Sequence, residues 1–151
     1  LLMGHKIIST NKKAFHDYSL LDKFECGIVL QGNEVKAIRE GKMNIKESFA
    51  RFKNNELFIW NMYIGQYSHL NISNHDPIRT RKLLLNSKEL DKIFVHTNQK
   101  GKTIIPTKAY FKNGKVKIEI ALAQAKKKWD KRISIKEKDL DKQIARKLKG
   151  I

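Results

Sequence analysis

Asn113-Gly114 lies between two runs in which apolar side chains recur at every second position, and this restricts the chain more than any other feature. The dipeptide supplies the positive φ angles that a two-residue type I′ turn requires, so residues 103–111 and 116–122 are expected to form one β-hairpin. In its return strand Val116, Ile118, Ile120 and Leu122 fall on one face, with Lys117 and Glu119 on the other. The same period recurs upstream. Phe24, Cys26, Ile28 and Leu30 alternate with Glu25, Gly27, Val29 and Gln31, and residues 48–52 and 57–62, separated by Lys53-Asn54-Asn55-Glu56, read as a second hairpin.

Helical signals are fewer. Ser87 is expected to cap a helix running to Gln99, with Glu89 in its first turn and Leu90, Ile93 and Phe94 on one face. Asn11 caps a shorter one through Tyr18, and Asn33 to Glu40 forms a third between Gly32 and Gly41. Five or six strands with about three short helices predict a mainly β, α+β fold: a small, partly open β-barrel of oligonucleotide-binding character. Residues 1–10 are read as an N-terminal extension and 11–125 as the folded body. Residues 126–151 read as a basic tail, since 11 Lys and Arg against four acids leave +7 there. Leu140, Ile144 and Leu148 recur in that tail at helical spacing, so it is expected to be disordered when free and to become helical on binding.

Charge narrows the function. With 32 Lys and Arg against 15 Asp and Glu, the chain carries a formal +17, which asks for a polyanion. No apolar run reaches the roughly 20 residues of a spanning helix, so no membrane partner is expected. Cys26 stands alone, which excludes an internal disulfide and a multi-thiolate zinc site and suits a reducing cytoplasm. No phosphate-binding loop, serine elbow or paired metal-ligand motif is present, and no cofactor or metal is expected. His16 beside Asp17 and His75 beside Asp76 are the nearest approach to acid–base pairs in an RNA-cleaving enzyme. Neighbouring side chains seldom face one another, so these histidines read as surface or capping groups.

Three basic surfaces remain. In the segment from Asp76 to Asn86, Asp-Pro starts an extended stretch in which Arg79 and Arg81 share one face toward phosphates, with Lys82 beside them. Leu83 to Leu85 are expected to anchor it, leaving Asn86 as a polar contact. Between Gln31 and Lys42, two glycines bracket a helix that offers Lys36, Arg39 and Lys42, with Glu34 as an acceptor for base amino groups. Glu25 interrupts an apolar strand, either as an ordinary outward side chain or as an acceptor for an RNA base. In Lys126-Lys127-Lys128-Trp129-Asp130-Lys131-Arg132 an aromatic is interleaved with five cations, which suits phosphate contact with base stacking.

These blocks resemble the SsrA-binding proteins (small protein B) of bacterial ribosome rescue, almost continuously from Asn11 to Asp139. The carriers are residues 11–18 (NKKAFHDY), 30–36 (LQGNEVK) through Gly41-Lys42, the Asp76 to Leu90 stretch, and Asp130-Lys131-Arg132 with Ile135-Lys136. The resemblance implies a noncatalytic adaptor whose β-barrel grips the tRNA-like domain of transfer-messenger RNA and brings it to stalled ribosomes for trans-translation. Elongation factor Tu and alanyl-tRNA synthetase become indirect partners through that RNA. It also implies that Glu25, Leu84 and Asn86 recognise RNA, supported by His16 and the Glu34 to Lys42 surface. The tail, through Asp130, Lys131, Arg132, Ile135 and Lys136, is implied to work at the decoding centre and in the messenger channel. Departures are Ala121 and Ala125 where the family usually has glycine, Phe15 where a basic residue is common, and Lys138 where arginine is common. The alternatives are a general nucleic-acid chaperone or ribosomal component with an oligonucleotide-binding barrel, and a small ribonuclease.

Overall fold

The computed structural model describes residues 6–69, 75–99 and 101–126. Their order is β1 (Lys6–Thr10), α1 (Lys12–Asp17), β2 (Tyr18–Ile28), α2 (Gly32–Arg39), β3 (Met43–Asn44) and β4 (Phe49–Lys53). Then follow β5 (Glu56–Trp60), β6 (Tyr63–Ile64), β7 (Arg81–Leu84), α3 (Ser87–Thr97), β8 (Lys102–Lys112) and β9 (Lys115–Ala125). The result is a mixed α+β fold. Seven strands form one antiparallel sheet in the order β1-β8-β4-β5-β7-β2-β9, in which β8 also pairs with β9, while β3 and β6 form a separate ribbon.

The Asn113-Gly114 hairpin is present as expected, with φ of 51° and 78° at the two turn residues. The turn of the β4–β5 hairpin is tighter than the four polar residues suggested. Lys53 and Glu56 pair across the strands, and Asn54 and Asn55 alone make the turn at φ of 52° and 65°. Asparagine tolerates this left-handed region better than other side-chain-bearing residues. Pro106 lies inside β8, where a proline normally argues against a strand. The register slips between Pro106 and Lys108, and Asn11 closes the gap, donating from its backbone to Thr107 O (2.9 Å) and from Nδ2 to Pro106 O (3.1 Å). The same side chain caps α1 by accepting from Ala14 N–H, so one asparagine joins helix start to sheet irregularity.

The main core gathers Phe24, Cys26, Ile38, Ile59, Leu83, Ile93, Ile118 and Ile120 between the sheet and helices α2 and α3. A smaller cluster of Ala14, Ile105 and Ala123 packs beneath α1. The ends of β8 and β9 are therefore covered on both faces. That is why alternation lapses at Ala121-Leu122-Ala123, all buried. Burying both faces removes the selection for polar residues that produces a period of two.

Helix α3 starts one residue earlier than expected. Asn86, rather than Ser87, is its N-cap, accepting from the Glu89 N–H at 2.9 Å. Of the three apolar residues assigned to its inner face only Ile93 is buried; Phe94 is 43% exposed and meets Phe52 edge to face. No helix among the described residues is long and apolar enough to cross a membrane.

Candidate nucleic-acid interface

Strands β2 and β7 are neighbours, with Gly27 opposite Leu84. Strand parity turns Leu83 into the core at 1% exposure and Leu84 outward at 48%, so the expectation that all of Leu83 to Leu85 anchor the strand is corrected: only Leu83 is fully buried. Glycine at 27 matters because a Cβ there would lie 3.4 Å from Leu84 Cβ, the limit of ordinary contact. Leu84 thus lies over a backbone without a side chain. Asn86, two residues on, is exposed, yet both ends of its amide are engaged by Glu89: Oδ1 accepts the backbone N–H, and Nδ2 donates to Oε1 at 2.7 Å.

Glu25 lies two residues before Gly27 on the same outward face. Its carboxylate accepts from the Tyr110 hydroxyl and from Lys112 Nζ at 3.3 Å. The tyrosine hydrogen bond, followed by the lysine charge, outweighs partial desolvation and holds the Glu25 carboxyl below the usual carboxylate range. In turn, burial and the Glu25 carboxylate push the Tyr110 phenol well above its ordinary value. The result is a fixed anion on a cationic protein, ionised at any pH near neutrality. Tyr110 and Lys112 were not candidates from sequence, because partners about 85 residues away leave no local spacing signal.

Glu34 is corrected from surface acceptor to buried anchor. It is 1% exposed and receives Arg79 Nη2 and Arg81 Nε, each at 2.5 Å, with the Gln31 backbone N–H at 2.8 Å. Burial alone would raise its pKa, but these donors and the charge of Arg81 bring it below the normal value. Arg81 is likewise buried and also donates to Met62 O at 2.7 Å and Pro77 O at 3.4 Å. The expected phosphate-facing pair of Arg79 and Arg81 therefore does not form. Arg79 keeps about a third of its side chain in solvent, whereas Arg81 ties α2 to β7 from inside. Three charges pull the 76–80 segment, the start of α2 and strand β7 into one unit.

Around this unit Lys36 and Arg39 project from α2 into solvent. Lys36 lies over the Tyr67 ring at 5.4 Å, and Lys42 reaches Gln66 O at 2.9 Å and Glu40 at 3.3 Å. Lys82 pairs with Glu56 at 3.2 Å, with both side chains partly in solvent, where such a bond is worth little. His16 is 63% exposed, and its Nδ1 meets Asp17 Oδ1 at 2.9 Å. That contact corrects the expectation for adjacent side chains: Asp17 ends α1 and Tyr18 is already extended, so the backbone change swings the pair together. His75 does not pair with Asp76. Its Nε2 meets Ile64 O at 2.8 Å, while Asp76 accepts from Ile78 N–H. Among the described residues no cluster of His, Cys, Asp or Glu is arranged to hold a metal ion.

Lys126 follows β9 directly, its N–H bonded to Asp17 O at 3.0 Å. The other expected tail residues, Lys127, Lys128, Asp130, Lys131, Arg132, Ile135 and Lys136, lie outside the described residues.

Known proteins match this chain along nearly its whole length. The family model described as SmpB protein matches residues 8–150. An SsrA-binding protein of Persephonella marina is 53% identical over 148 residues, covering 98% of this chain and 97% of the relative. One of Enterococcus faecalis is 50% identical over 145 residues, covering 96% and 94%. A solved structure described as "tmRNA-SmpB: a journey to the center of the bacterial ribosome" superposes with a TM-score of 0.67 at 41% identity, covering 83% of this chain and 92% of that one. Taken with the fold, these matches establish that the chain belongs to the SmpB protein family.

Proposed function

We propose that this chain is a noncatalytic RNA-binding adaptor that binds the tRNA-like domain of transfer-messenger RNA and carries it to stalled ribosomes for trans-translation. The observation that carries this reading is kinship over residues 8–150, together with likeness to a chain from a tmRNA–SmpB structure. The geometry supports it: a fixed carboxylate at Glu25, an outward Leu84 over Gly27 and a polar Asn86 lie on adjoining segments within a cationic frame. Few side chains of mixed chemistry among many cations suit one structured RNA better than bulk polyanion.

In this reading Glu25, Leu84 and Asn86 touch the RNA, with His16, Lys36, Arg39, Lys42, Arg79 and Lys82 supplying contacts around them. Glu34 and Arg81 act by positioning. The body spans residues 11–125, to whose sheet the N-terminal extension adds β1 at Lys6–Thr10, and the tail from Lys126 turns helical in the messenger channel, where Asp130, Lys131, Arg132, Ile135 and Lys136 meet ribosomal RNA at the decoding centre. Elongation factor Tu and alanyl-tRNA synthetase join through the RNA, in the cytoplasm. The body's sheet is a small barrel of oligonucleotide-binding type. In support, pairing runs from β4 through β5, β7, β2, β9 and β8 and returns to β4 by the Ala50–Ile104 bridge.

The test is competition. Transfer-messenger RNA bound to the full chain should resist excess bulk tRNA or unstructured RNA, and sequencing RNA that copurifies from the native cell should enrich it. Easy displacement, with no enrichment, would mark a general nucleic-acid chaperone.

A further inference from the structure

The ribbon of β3 and β6 carries a surface feature of which the preceding reading uses only Lys42. Asn44 pairs with Tyr63, which turns Met43 and Ile64 into the core and leaves Tyr63 45% exposed. Ile78 joins it, 51% exposed, because Pro77 O accepts the Ile64 N–H at 2.9 Å and holds the 76–80 segment against β6. The two border an open depression of about 580 Å³. Gly65 lies beside both Tyr63 and Lys42. A Cβ at that position would fall 3.0 Å from Lys42 Cβ and 3.1 Å from the Tyr63 hydroxyl, so its absence lets ring and lysine stem lie together.

The polar groups at the rim suit a nucleotide. Lys46 is exposed and, among the described residues, has no ion-pair partner; Lys42 also lines the depression and shares its charge with Glu40 at 3.3 Å. Glu47, the single acid bordering the depression, is shared with Lys13 at 3.9 Å. Asn61, held at φ 61°, presents an amide with no hydrogen bond to any described residue, and an amide offers both donor and acceptor to a base edge. An exposed aromatic face beside cations and a free amide is the combination that holds unpaired bases.

We infer that the depression between Tyr63 and Ile78 binds one unpaired nucleobase of an RNA strand, stacked on Tyr63, with the adjoining phosphate on Lys46 and Lys42. This rests on the reading of the chain as an RNA-binding protein and adds a contact outside the Glu25, Leu84 and Asn86 surface. The occupant is single-stranded RNA: a duplex keeps its bases stacked on one another, and the Asp and Glu side chains that would draw an acidic peptide to these lysines have no flat ring to lay on Tyr63.

The experiment uses the full chain with an unstructured uridine hexamer bearing one 5-iodouridine, at about 0.2 M salt, where contacts to phosphate alone are weak. Irradiation should cross-link the hexamer to Tyr63, as mapped by mass spectrometry of peptides. Tyr63→Leu should weaken the hexamer about five- to 150-fold, the range of base–aromatic stacking, and Tyr63→Phe should stay within about threefold. Cross-links only at other residues, or a Tyr63→Leu variant that binds like its parent, would overturn the assignment. The tRNA-like domain is titrated against the same preparations and against Leu84→Ala. Binding of that RNA that depends on Leu84, without a Tyr63 cross-link, removes the base site alone. Failure to bind either RNA removes the wider reading as well.

Discussion

Replacing Glu34 by glutamine removes a charge at the point where α2, β7 and the 76–80 segment are tied together. The amide keeps the size of the side chain and still accepts from Gln31 N–H, but Arg81, 1% exposed, is left with only the Met62 and Pro77 carbonyls. Breaking a buried pair from one side costs about 3–5 kcal/mol, since the remaining charge stays out of water. Arg79 is a third exposed and adds little. The lower end, about 3 kcal/mol, fits a substitution that leaves Arg81 two carbonyl partners, and for a body of this size it lowers the melting temperature by roughly 10 °C. Circular dichroism melts at pH 7 read this directly.

The pH dependence of the difference follows from linkage. The Glu34 carboxyl titrates near 4.5 when unfolded and lower when folded. Between those values the unfolded chain binds a proton that the native state refuses, so stability rises with pH through the window. Wild type should therefore exceed Glu34→Gln by the full amount above about pH 5, and the gap should close as pH falls through the folded pKa. Replacing both partners, Glu34→Leu with Arg81→Met, should lose less than the sum of the single changes by roughly 2 kcal/mol, because no charge is then stranded. A Glu34→Gln variant melting within about 2 °C of wild type, or a strictly additive double variant, would refute the account of this charge cluster.

Three further outcomes follow from the candidate interface. Tyr110→Phe removes the leading hydrogen bond that lowers the Glu25 pKa; NMR titration should find that carboxyl moved up toward its ordinary value, and affinity for the tRNA-like RNA should fall, with an unmoved pKa counting against the bond. Asn86→Ala should cost about 1 kcal/mol of stability with the lost cap, whereas Asn86→Ser keeps a capping oxygen without setting a second carboxylate against Glu89 and should hold most of that stability while weakening RNA binding by loss of the amide; equal melting losses in both would contradict this division. Truncation after Ala125 should leave affinity for the tRNA-like domain largely unchanged and abolish tagging in a reconstituted rescue assay, and loss of the RNA affinity would contradict the two-part organisation.

Periodic and turn-specified features were legible from residue order alone. The two hairpins follow from alternation plus asparagine-rich turns, and the cap at Asn11 follows from a side chain acting on its own helix. The reading failed where a residue's environment is supplied by distant chain. Glu34, Arg79 and Arg81 look alike in sequence as surface charges, yet one turn of α2 packed against β7 buries two of them and leaves the third part in water. Leu83 and Leu84 are chemically identical, and strand parity alone sends one inward and the other out.

The sequence by itself determined a cationic chain built on local β-hairpins, and its blocks carried the resemblance to the SmpB family, because charge and turn chemistry are properties of residues and their immediate neighbours. The tertiary structure decided which charges face solvent, that Tyr110 and Lys112 hold Glu25, and that Tyr63 and Ile78 share one depression. The physical reason is that desolvation and pairing depend on what the folded chain brings within a few ångströms, and residues about 85 positions apart leave no trace of that meeting in their order.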